Sequence, residues 1–181
     1  MDRNLRLAVR NLDLSDEKLR YQALRELLEA SEVKVDWAYG VWNDFAARLK
    51  HESSYQRTIG ARLLCNLAGS DPEHRLRALL PVLLRLTRDE KFVTARQVLQ
   101  NIWKPAAADA ELRKKIVDHL AKQYRSCLGG KHYNLIRQDI LQSLRWLYDR
   151  VPDEKLRAKA MSLIVTESEP KYRKKYDAIW K

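Results

Sequence analysis

An arginine recurs along this chain at an interval few architectures produce: Arg20, Arg57, Arg96, Arg137 and Arg173 are separated by 37, 39, 41 and 36 residues. The residues downstream of each arginine repeat too. Three residues on lie Ala23, Gly60, Leu99, Ile140 and Tyr176, and seven on lie Leu27, Leu64, Trp103, Leu144 and Trp180. On a helix these two offsets share a face, joined by the sixth position (Leu63, Ile102, Ile179) and the tenth (Ala30, Leu67, Leu147). Glu26 and Ser143 interrupt the sixth position in two units. Self-similarity at this period marks stacked supersecondary units, none of which can bury its apolar side alone.

Between the arginine-led helices lie amphipathic partners. VDWAYGVWNDFAARLK sets Trp37, Val41, Trp42, Phe45 and Leu49 on one stripe, RALLPVLLRL is apolar on nearly every side, and LRKKIVDHLAKQY and LRAKAMSLIV alternate faces at helical spacing. Pro81 is expected to kink its helix. Turn signals separate helix-sized intervals, with Ser15 and Ser53 read as N-caps and Pro72, Pro152 and Pro170 as first-turn prolines. Only five Gly and five Pro among 181 residues argue against an all-β fold. The expectation is all-α, with about nine to ten helices in antiparallel pairs forming one domain over 1–181.

Two helices per repeat of about 40 residues, the second opened by an arginine, resemble the HEAT and armadillo-type α-solenoids. The resemblance spans the whole chain and rests on Arg20, Arg57, Arg96, Arg137, Arg173 and the apolar positions above. It implies a right-handed α-α superhelix, with the arginines as a structural column and the second helix of each pair lining a concave side. In that family an acid before the second helix pairs with the arginine. Asp16, Glu52, Glu90 and Glu167 suit that part, whereas residues 131–136 offer no acid, so the ladder is expected to break at Arg137.

The face of each second helix turned away from the apolar stripe carries Tyr21, Arg25, Leu28; Thr58, Arg62, Cys65; Gln97, Asn101, Lys104; Gln138, Gln142, Arg145; and Lys174, Ala178, Lys181. Six of these fifteen are basic and none is acidic. The formal charge of +11 arises after residue 50, because residues 1–50 hold nine basic and nine acidic side chains. A basic face attracts anionic partners without naming them. Arg25, Arg62, Lys104, Arg145 and Lys174, with Gln138, Gln142 and Trp146, are therefore the candidate binding residues. Trp37, Trp42, Trp103 and Trp180 sit at core spacing; Trp146 lies nearly opposite Arg137 and is, with Tyr21, a candidate stacking group.

Catalytic constellations fail. His51, His74, His119 and His132 have no HxxxH or HExxH pairing, no GxSxG or phosphate loop occurs, and Gly129-Gly130 reads as a helix exit. Cys65 and Cys127 form neither a CxxC nor a Cys/His set, so no metal, cofactor or disulfide is expected, and a reducing cytoplasm is the expected location. No stretch approaches a membrane span. Some HEAT-like proteins are alkylpurine DNA glycosylases, which use concave-face tryptophans and a carboxylate; that resemblance would cast Asp139 beside Trp146. The reading from sequence is a non-catalytic scaffold for an acidic protein or peptide, with nucleic-acid binding as the alternative, glycosylase-like chemistry third and oligomeric state open.

Overall fold

The computed structural model describes residues 1–181, which form helices and no strands. In chain order these are α1 (Arg3–Asn11), α2 (Glu17–Ala30), α3 (Ala38–Arg48), α4 (Ser54–Asn66), a 3-10 turn (Leu67–Ser70), α5 (Leu76–Leu86), α6 (Phe92–Leu99), α7 (Trp103–Ala108), α8 (Ala110–Ser126), α9 (Tyr133–Arg150), α10 (Glu154–Val165) and α11 (Pro170–Ile179). The expected nine to ten helices become eleven, and a proline accounts for a break at residues 100–102. Pro105 lacks an N–H and its ring crowds the carbonyl four residues back, so the helix that starts at Phe92 cannot run straight through to Ala108. Pro81, by contrast, sits inside α5, which continues past it.

Helix starts are fixed by aspartates more than by the expected serines. Asp2, Asp16, Asp109 and Asp153 each accept backbone N–H bonds of the first turn, satisfying donors that have no partner within the helix. Ser15 is displaced by Asp16, and Ser53 occupies its N-cap without a side-chain cap bond. Pro170 opens α11 as expected. Pro152 precedes the cap Asp153, and Pro72 lies in the turn before α5, so neither is a first-turn residue.

The chain divides into two compact units, Met1–Leu86 and Thr87–Lys181. In the first, α1 pairs with α2 and α3 with α4, while α4 also packs on α2 and α5. Gly60 permits the α3–α4 approach: a Cβ there would stand 2.6 Å from the Phe45 carbonyl oxygen and 2.8 Å from the Arg48 Cβ. Arg48, which no repeat position singles out, ties the unit together. Its guanidinium forks onto Asp13 at 2.7 and 2.9 Å and donates to the Gln56 amide oxygen, while Gln56 donates to the Leu12 carbonyl.

In the second unit α9 is central, packing on α6, α7, α8, α10 and α11, and α8 also packs on α10. Its buried side is Ile140, Leu141, Leu144 and Leu147. The repeat positions behave as the periodicity requires. Ala23, Gly60, Leu99, Ile140 and Tyr176 are buried, as are Leu27, Leu64, Leu144 and Trp180, and only Trp103 of the seventh position is half-exposed. Trp42 is likewise buried, whereas Trp37 is half-buried at the start of α3.

Candidate anion-binding faces

Four of the five recurring arginines are tied into the fold, each in its own way. Arg20 donates to the Leu14 carbonyl at 2.8 Å and lies 4.4 Å over the Tyr55 ring. Arg57 donates to the carbonyls of His51 and Glu52, closing the loop before its own helix. Arg96 forks onto Asp139 at 2.5 and 3.0 Å, and this bond, opposed by burial, leaves its pKa raised. Arg137 meets Glu167 at 2.9 Å with both side chains sealed from water, and its Nε donates to the Tyr124 carbonyl. Arg173 is exposed.

Arg137, expected to lack an acid, is paired, and neither it nor Arg96 takes its acid from the segment just before its own helix. The acid of Arg137 comes from 30 residues further on, in the turn between α10 and α11. Asp139 has the same kind of role: it is buried, grips Arg96 and also accepts from the Gln100 amide at 2.9 Å. The carboxylate that the glycosylase resemblance singled out is thus held by three donors from α6 and the residue after it.

Of the fifteen positions assigned to the non-core face, only Cys65 is buried. In the first unit, Tyr21 and Arg25 lie on α2 and Thr58 and Arg62 on α4, two helices that pack together. Arg62 is half-buried with its Nε shut off from any acceptor, and its electrostatic neighbours are the phenols of Tyr21 and Tyr55. Burial lowers its pKa. Arg25 is exposed one turn along α2 from Tyr21.

In the second unit, Gln138, Gln142 and Trp146 succeed one another at i, i+4 and i+8 along α9, all at least partly exposed. Trp146 is 37% exposed and packs its ring 6.2 Å from that of Trp103 on α7. Lys104 stands 5.9 Å from the Trp103 ring and donates to Asn101 at 3.0 Å. Arg145 is less available than its spacing implied, because it pairs with Asp149 at 2.9 Å and lies over Tyr148 and Trp180. Lys174 is exposed on α11. Tyr55 and the Trp103–Trp146 contact were the features missed; both join residues of different helices or different turns, and only the proximity of those elements reveals them.

No group of three or more His, Cys, Asp or Glu side chains is placed to hold a metal ion, and no helix is long and apolar enough to cross a membrane. No protein-family model matches the chain, and no curated protein matches it. Solved structures do. A crystal structure of an engineered protein from the Northeast Structural Genomics Consortium is 18% identical with a TM-score of 0.56, over 99% of this chain and 80% of that one. Two further engineered proteins from the same consortium are each 16% identical; one has a TM-score of 0.61 over 99% of this chain and 78% of that one, the other 0.59 over 99% and 47%. What the chain shares with these three proteins is an all-helical fold.

Proposed function

We propose that the chain is a HEAT-like α-solenoid, its helical pairs stacked as repeats, acting as a non-catalytic scaffold that binds an acidic protein segment through the basic faces of its second helices. The observation that carries this reading is the division of labour among the cations. Arg48, Arg96 and Arg137 are consumed by Asp13, Asp139 and Glu167 inside the fold. Arg25, Arg62 and Lys174, on the face away from the core stripe, have no such carboxylate. An acid-free cationic face favours anionic partners and steers their encounter.

The test is binding of a fluorescent polyglutamate peptide at low and moderate salt, with the charge-reversed pair Arg25→Glu and Arg62→Glu. Saturable binding that weakens with salt and disappears in the double variant is expected. A flat titration at low salt sinks the reading.

A second reading, nucleic acid, is favoured by one feature: exposed Trp146 against Trp103, beside Lys104 and Gln142, offers a base-stacking edge next to a cation. Single-stranded and duplex DNA titrated over the same salts separate the two, since phosphate neutralisation gives a steep logarithmic salt slope.

A further inference from the structure

Among the arginines on these faces, Arg62 is anomalous. A half-buried guanidinium normally has its N–H groups satisfied, because drawing a cation out of water without acceptors is costly. Arg20 and Arg48 also have an Nε without a partner, yet their terminal nitrogens bond Leu14 and Asp13. Arg62 instead has two tyrosines for electrostatic neighbours and no carboxylate. Much of its hydration has been stripped in the free protein, and its fork of donors remains unspent.

We propose that Arg62, with Tyr21 and Tyr55, is a receptor for one carboxylate side chain of an acidic protein partner; this rests on the scaffold reading above and names its anchor. The planar fork of a guanidinium matches the two oxygens of a carboxylate, and a charge-assisted bidentate pair is stronger where water is already excluded. The hydroxyls of its electrostatic neighbours Tyr21 and Tyr55 are further donors of the same unit. Charge matching selects the class of ligand. Arg20, whose guanidinium lies over the Tyr55 ring, is committed to the Leu14 carbonyl and lies 3.9 Å from Glu17, leaving Arg62 as the half-buried guanidinium for one negative charge. A phosphate dianion needs a second. Arg25, exposed one turn from Tyr21, is placed to meet a neighbouring acid of the same segment.

The experiment measures polyglutamate binding by fluorescence anisotropy to the wild type, Arg62→Gln, Arg62→Lys and a control, Arg85→Gln, which removes an exposed cation of α5. Both Arg62 variants are expected to weaken binding by about tenfold or more, a loss of the size that truncating a bidentate charge pair produces, and Arg85→Gln by less than about twofold. Thermal melts of Arg62→Met accompany it: an unpaired half-buried cation does not hold the fold, so the melting temperature is expected to stay level or rise. A drop in melting temperature makes Arg62 structural and overturns the receptor. Equal losses from Arg62→Gln and Arg85→Gln also overturn it, while leaving a diffuse electrostatic scaffold. Wild-type binding that Arg62→Lys preserves removes the fork. Loss of DNA binding in Arg62→Gln with polyglutamate unaffected replaces carboxylate by phosphate. No wild-type binding to polyglutamate removes the scaffold reading itself.

Discussion

Arg137 on α9 and Glu167 before α11 meet at 2.9 Å with almost no exposure of either side chain, and the same guanidinium stacks 4.3 Å over Tyr124. The pair joins three helices: Arg137 Nε holds the C-terminal part of α8 through the Tyr124 carbonyl, and Glu167 accepts the Glu169 N–H at the entrance to α11. Removing one partner leaves the other charged and dry. Arg137→Met or Glu167→Leu alone is therefore expected to cost about 3–5 kcal/mol in urea unfolding, and the two together to cost less than either single change. Additive losses in that cycle would contradict a coupled pair.

Two glycines inside helices should respond in opposite directions. Gly60→Ala forces a Cβ against the Phe45 carbonyl and the Arg48 Cβ, both belonging to the packed neighbour helix, and is expected to destabilise by about 1–3 kcal/mol. Gly40 in α3 has open space at its Cβ, so Gly40→Ala should stabilise by about 0.5–1 kcal/mol from helix propensity alone. Denaturant midpoints of the two variants decide the matter.

Asp139 and Asp149 both pair with arginines, yet their worth differs. Asp139 is buried with Arg96 forked onto it; Asp149 is about half exposed and meets Arg145 across one helical turn. Asp139→Asn is expected to lose about 1.5–3 kcal/mol, the scale of hydrogen bonds to a charged group. Asp149→Asn should stay within about 0.5 kcal/mol of wild type, as exposed pairs do. Chemical denaturation at matched salt compares them directly.

His119 makes stability depend on pH. Its Nε2 is 2.9 Å from the Thr87 hydroxyl oxygen, and that hydroxyl donates to the Gln123 amide oxygen, so the ring Nε2–H is the donor to Thr87. Burial, then the charge of Arg88, lowers its pKa, with Lys122 acting the same way. The unfolded chain therefore takes up a proton at higher pH than the folded one. The contribution is fully present above the ordinary histidine range, about pH 6.5, and is lost as pH falls through the lowered folded value. Urea midpoints measured from neutral pH downward should decline across this window, and His119→Asn should flatten the decline.

The helices, their core stripes and the repeating period were legible in the sequence because each depends on local geometry. A residue's place on a helix face is set by its offset alone, which is why fourteen of the fifteen non-core positions proved accessible and why Leu27, Leu64 and Leu144 proved buried. The aspartate caps were less legible than they should have been, since Asp16 competes with Ser15 one position away and a carboxylate adds attraction to the positive helix end.

Which acid each arginine meets was settled only by tertiary packing. Arg137 finds Glu167, Arg96 finds Asp139 and Arg48 finds Asp13, over sequence separations of 30, 43 and 35 residues. No spacing rule reaches that far, because such pairs depend on which helices pack together. The same packing spends Arg48, Arg96 and Arg137 on internal carboxylates and leaves Arg62 half-buried with tyrosines, not a carboxylate, as its electrostatic neighbours. By itself the sequence determined the helices and which side of each is buried, through offsets along single helices. Only the tertiary structure decided which cations are neutralised inside the fold, because a charge is neutralised by whatever the packing brings beside it.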